Sequence, residues 1–202
     1  MPLLTSCATL ATALLCAHAV CGAARSGSDN RITIRVHNYA QIKASELIKA
    51  ERITDDIWSQ AGVQLTWIEC SERTSSVKNA ACEIPASPTD LAVNLLPRSV
   101  SRRFEFGADT CGVALEDAQG GSGFDAWVFY DLVKNAATKE DLTPAASLRT
   151  VIVHELSHLL LSTNSHSAFG IMRANWSSKE LRAVEHRAMH FSSSQARGFR
   201  KP

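Results

Sequence analysis

The chain has 202 residues, 45% hydrophobic and 20% charged, enough for one ordinary domain with a sizeable core. Its formal net charge of +1 argues against broad electrostatic binding to nucleic acid.

Met1 to Gly22 contains no Asp, Glu, Lys or Arg. Its apolar run, Leu10–Val20, is short for a bilayer span. Residues 1–23 therefore read as a secretory leader. Ala17-His18-Ala19 fits a small-x-small cleavage site, and Cys21-Gly22-Ala23 is a second option. An uncleaved N-terminal anchor is the alternative. Either way the folded part, residues 24–191, is expected outside the cytoplasm, secreted or periplasmic, with no stable membrane insertion once the leader is removed. Cysteine usage agrees: Cys70 and Cys82 flank a polar loop that a disulfide would staple, leaving Cys111 as a buried thiol or a neighbour of a site.

Arg31–His37 alternates as a strand, with Ile32, Ile34 and Val36 on one face. Ser45–Ala61 is a helix with a stripe of Leu47, Ala50, Ile57, Trp58 and Ala61, stopped by Gly62. Val63–Glu69 is a second strand, so the first three elements form a crossover with parallel strands. Trp58 and Trp67 read as core residues. Asp90–Leu96 is a third strand closed by Pro97, and Arg98–Phe106 a short solvated helix. Thr110–Glu116 and Ala126–Asp131 complete the strands; the glycine run at 120–123 lacks the Lys-Ser/Thr of a phosphate loop. Ser177 to Glu180 is a capping box opening a helix with Leu181, Val184, Ala188 and Phe191 on one face. Residues 192–202 read as a flexible basic tail. The order implies an α/β (α+β) single domain with a twisted mixed sheet.

Between the last strand and the capping box lies V-I-V-H-E-L-S-H-L-L-L-S-T-N-S-H-S-A-F-G-I-M-R. Thr143 and Pro144 are a cap and first residue for a helix that is apolar almost all round, and therefore buried. His154 and His158, four apart, share one face and can reach one metal ion. Glu155 can deprotonate a water on that metal. Buried imidazoles and a carboxylate are costly unless paired, and zinc would pair all three. Catalytic zinc usually has three protein ligands. His166 is the nearest candidate, if the Ser162–Ser165 turn, with Asn164 in the left-handed conformation, brings the chain back.

This stretch resembles the metzincin superfamily of zinc peptidases. Carried over residue by residue, His154, His158 and His166 would be ligands, Glu155 the general base and Met172 the Met-turn methionine. The spacing departs from the family's: seven residues separate His158 from His166, Leu161 stands at the usual glycine and Asn164 at the usual third ligand. The resemblance implies that Cys111–Glu116 is an antiparallel edge strand above the zinc that takes an extended peptide by strand addition. It also implies a helix after the Met-turn.

The expected function is zinc-dependent hydrolysis of peptide bonds in a peptide or protein substrate by a monomer. One alternative draws the third ligand from Glu180 or Glu185 on the last helix, with His186 and His190 as weaker candidates. Another is a catalytically silent scaffold that binds zinc or peptide. A third is an amide hydrolase acting on cell wall or small molecules.

Overall fold

The computed structural model describes residues 30–71, 79–87, 90–104, 106–115, 125–185 and 189–199. The expected leader, the glycine run at 120–123, Glu116, His186, Ala188 and the last three residues lie outside that part, as do the side chains of Val184 and Glu185.

Five strands form one mixed sheet: β1 (Arg31–Asn38), β2 (Gln64–Glu69), β3 (Asp90–Leu96), β4 (Gly112–Leu115) and β5 (Asp125–Phe129), in the order β2-β1-β3-β5-β4. β1 runs parallel to β2 and to β3, and β3 parallel to β5. Only β4 is antiparallel, paired with β5 at the sheet's end. The expected antiparallel edge strand is present, two residues shorter at its start than Thr110. Helix α1 (Ala44–Gln60) supplies the crossover from β1 to β2.

Alternation along β1 buries Ile32, Ile34 and Val36 on one face, in one core cluster with residues of α1 and helix α5 (Pro144–Leu161). The other face is half-exposed and carries the Arg35–Asp90 ion pair at 2.8 Å. Trp58 is fully buried, as expected. Trp67 is half-buried and donates its indole N–H to Asp55 at 2.7 Å. Two further short helices, α2 (Ala80–Glu83) and α3 (Arg98–Ser101), lie between β2 and β4. Arg102 and Arg103 are solvent-facing after α3. The disulfide joins Cys70 to Cys82 with Cα atoms 5.6 Å apart, and Cys111 is free.

Three expectations are corrected. The last strand ends at Phe129, not Asp131. Tyr130 opens helix α4 (Tyr130–Lys139), whose Tyr130, Leu132, Val133 and Ala137 are buried. Helix α6 (Ser178–Glu185) follows its capping box, but Phe191 lies beyond it, without helical structure. Residues 192–199 are not frayed: helix α7 (Ser193–Gly198) has a capping box of its own, from Ser192 and Gln195. Behind it Phe199 is 6% exposed, with ring centroids 4.6 Å from Trp58 and 4.7 Å from Phe191. Apolar burial of one large ring outweighs the polar composition around it. Among the described residues no helix is long and apolar enough to cross a membrane.

Candidate metal centre

The site is built on α5. Thr143 caps its start by accepting a hydrogen bond from the Ala146 N–H at 3.3 Å, and Pro144 occupies the first turn. Ala145 to Leu159 is buried without interruption, so the helix is held on every side and its polar residues have fixed surroundings. His154, Glu155 and His158 are 6%, 7% and 5% exposed.

The helix ends at Ser162, which takes the left-handed conformation at φ 46° in place of the expected Asn164. The chain then folds back. The Ser162 and Thr163 amides close onto the last turn, Thr163 N–H reaching the His158 carbonyl at 3.2 Å. His166 is delivered beside the other two histidines, its ring centroid 5.2 Å from His154 and 4.8 Å from His158. Ligand atoms of all three lie within 4.8 Å of one another, so the three could hold a metal ion.

Two backbone carbonyls orient the buried rings. The Ile171 carbonyl accepts from His154 Nδ1 at 2.8 Å, and the Thr163 carbonyl from His158 Nδ1 at 2.6 Å. A carbonyl can only accept, so each Nδ1 carries the proton. That turns the Nε2 atoms of the two rings toward each other, 3.0 Å apart. Burial pushes the His154 pKa down to about 4, and burial also lowers that of His166, so these rings are neutral near pH 7. Two ring nitrogens facing each other at this distance share either a proton or a metal cation. Two tetrahedral zinc ligands at about 2.0–2.1 Å would be roughly 3.3–3.4 Å apart. The pair fits such an ion after a shift of a few tenths of an ångström, with carbonyl partners on Nδ1 that metal-bound histidines ordinarily have.

The turn after His166 makes this orientation. Gly170, at φ +77°, reverses the chain, and Ser167 N–H donates to the Met172 carbonyl at 2.7 Å. That places the Ile171 carbonyl on His154 and buries Met172 to 1% exposure. Trp176 sits edge-to-face on His154, centroids 5.2 Å apart, and its indole N–H holds the Gly170 carbonyl at 3.2 Å.

Glu180 is engaged elsewhere. It accepts from Arg173 at 2.7 Å and from the Ser177 hydroxyl at 2.6 Å, and these bonds hold its pKa down at about 2. It stands outside the histidine cluster, as does the exposed His190.

β4 forms the opposite wall of an open cleft of about 720 Å³ lined by Asp109 to Ala114, the three histidines, Glu155, Asn164 and Ala174 to Trp176. Burial raises the Glu155 pKa to about 8, partly offset by a hydrogen bond from the Ala114 N–H. Cys111 is half-buried on this wall; burial, with Asp109 and Glu155 nearby, pushes its thiol up to about 11, which leaves it unreactive.

Gly112 and the two carbonyls are parts of the site that are not legible in the sequence. A Cβ on Gly112 would lie 2.7 Å from Glu155 Oε1 and from Val151 Cγ1. Trp176 carried a usable signal, a large aromatic just past the glycine-methionine turn.

No protein-family model matches the chain, and no curated protein matches it significantly.

Proposed function

We propose that the chain is a zinc-dependent peptidase of metzincin-like design, acting outside the cytoplasm on peptide or protein substrates. The observation that carries this reading is the pair of buried imidazoles whose Nδ1 protons are committed to carbonyls, leaving their Nε2 atoms for a shared ion with His166 and Glu155 alongside. His154, His158 and His166 would hold the ion. Zinc in that position supplies a Lewis acid and lowers the pKa of water toward about 7.

The chain's own residues do the rest. Glu155 accepts a proton from the attacking water and returns it to the leaving amine. The cleft beside β4 accommodates an extended segment, and the edge of β4 offers backbone groups to pair with it. Met172 and Trp176 pack the turn that aims Ile171 at His154. The disulfide is in keeping with an oxidising compartment.

The test is metal content and turnover together. The wild-type protein should hold one zinc per chain and cleave casein. His166→Ala should lose the zinc while keeping its fold. Glu155→Gln should keep the zinc and lose about 10²–10⁴-fold in kcat. Zinc retained by His166→Ala would move the third ligand elsewhere. Wild-type protein that binds zinc but cleaves neither casein nor a peptide library would favour the silent scaffold.

A further inference from the structure

We propose that the edge strand β4 holds Glu155 in a resting position, and that an extended peptide pairing with that edge takes the Ala114 amide and releases the carboxylate. This rests on the peptidase reading above, with β4 as the peptide-binding edge.

The register of β4 carries the argument. Phe129 N–H donates to the Cys111 carbonyl at 2.9 Å, so Cys111 bonds toward β5. In an antiparallel ladder this direction alternates. Val113, opposite Trp127, and Leu115, opposite Asp125, therefore also bond toward β5. The N–H and C=O groups of Gly112 and Ala114 point the other way. β4 ends the sheet, so among the described residues no strand meets them on that side.

Glu155 meets them instead. The Ala114 N–H faces its carboxylate closely enough to oppose the effect of burial on it. The side chain lies directly on the β4 backbone: a Cβ at Gly112 would fall 2.8 Å from Glu155 Cγ and 2.7 Å from Oε1. Real Cβ contacts are longer than this, so only glycine allows the approach. The group expected to accept a proton thus occupies the edge donor that strand addition uses. A substrate carbonyl and the Glu155 carboxylate compete for one N–H. When the carbonyl takes it, the carboxylate is free to turn toward the histidines. The base is then delivered by occupation of the edge. Substrate residues lying along β4 raise kcat, not merely affinity.

Two measurements on the zinc-loaded protein test this. In the first, amide spectra and hydrogen exchange compare the wild type with Glu155→Ala. The Ala114 amide should move upfield and lose protection about tenfold or more, while Val113 and Leu115 hold theirs. An unchanged Ala114 amide overturns the resting contact. In the second, nested peptides are cut from a casein sequence that the wild type cleaves. Adding residues that span β4 should raise kcat about tenfold or more and change KM less than about threefold. Gly112→Ala should keep its zinc and abolish the length dependence. A length effect confined to KM, or a folded Gly112→Ala variant with wild-type kcat, overturns the release. Should Gly112→Ala fail to fold, the wild-type length series still decides. Should the wild type cleave no casein, the peptidase reading and the release fall together, while the amide measurement still decides the resting contact.

Discussion

Replacing Phe199 with alanine tests whether the C-terminal segment is part of the domain. Its ring is 6% exposed and meets Trp58 and Phe191 at centroid distances of 4.6 and 4.7 Å. Its carbonyl accepts from the Asn30 side chain at 3.0 Å, which ties α7 back to the start of β1. Removing a buried phenylalanine costs about 3–5 kcal/mol, and a site near the chain's end can partly collapse, so about 3 kcal/mol is the expected loss. For a domain of this size that lowers the melting temperature by roughly 6–12 °C. The effect should reach the metal centre. Gly198 packs on Leu161, a Cβ there lying 2.7 Å from Leu161 Cδ2, and Leu161 is the last residue of α5, next to the turn that orients His158. Thermal and urea melts followed by circular dichroism, with zinc titrated against a chromophoric chelator, would measure both. A Phe199→Ala protein that melts within 2 °C of wild type would refute the packing argument.

Zinc at about a thousand times its dissociation constant should stabilise the protein by about 4 kcal/mol, roughly 8–16 °C in melting temperature, and His166→Ala should abolish that shift in a scan run with and without chelator. Glu51 has its pKa raised from 4.5 to about 7 by burial first and then by Glu69 and Asp55. The native state therefore holds the extra proton between those values, and stability falls as pH rises from about 4.5 to about 7. After discounting for partial exposure the loss is about 1–2 kcal/mol, so Glu51→Gln should be more stable than wild type at pH 8 and nearly equal at pH 4 by urea denaturation. Equal slopes with pH in the two proteins would sink that assignment. Reducing the Cys70–Cys82 bond, which closes a loop of sequence separation 12, should cost about 2–3 kcal/mol, read as a lower urea midpoint for the double serine variant.

The parts legible in the sequence are those whose information is local. β3 was bounded at Asp90 and Leu96 because an apolar run meets Pro97. α5 was legible because Thr143 and Pro144 mark its start and an unbroken apolar surface marks its burial. Helix α4 was missed although Leu132, Val133, Ala136 and Ala137 are spaced for one. The aromatic run Trp127-Val128-Phe129-Tyr130 has strand propensity, and nothing local says that the strand stops before Tyr130. α7 was missed for the opposite reason. Ser192 and Gln195 form a legible capping box, but its polar surroundings suggested a tail, and the burial that stabilises it comes from Trp58, far away in sequence.

The site divides along the same line. Histidine spacing on one helix face is local, so His154 and His158 were readable as partners. What makes them a metal-binding pair is not local. The acceptors on their Nδ1 atoms are the Ile171 and Thr163 carbonyls, and every residue type supplies a carbonyl. Only the path of the chain, set by Ser162 and Gly170 in left-handed conformations, decides which carbonyls arrive. Gly112 is the limiting case. Its neighbours in the chain do not require a glycine; Glu155 and Val151 do, from across the cleft. The side chains that perform the proposed chemistry can therefore be named from a motif. The residues that position them are selected by backbone approach: Ser162 and Gly170 stand inside the motif stretch, and Gly112 stands far outside it.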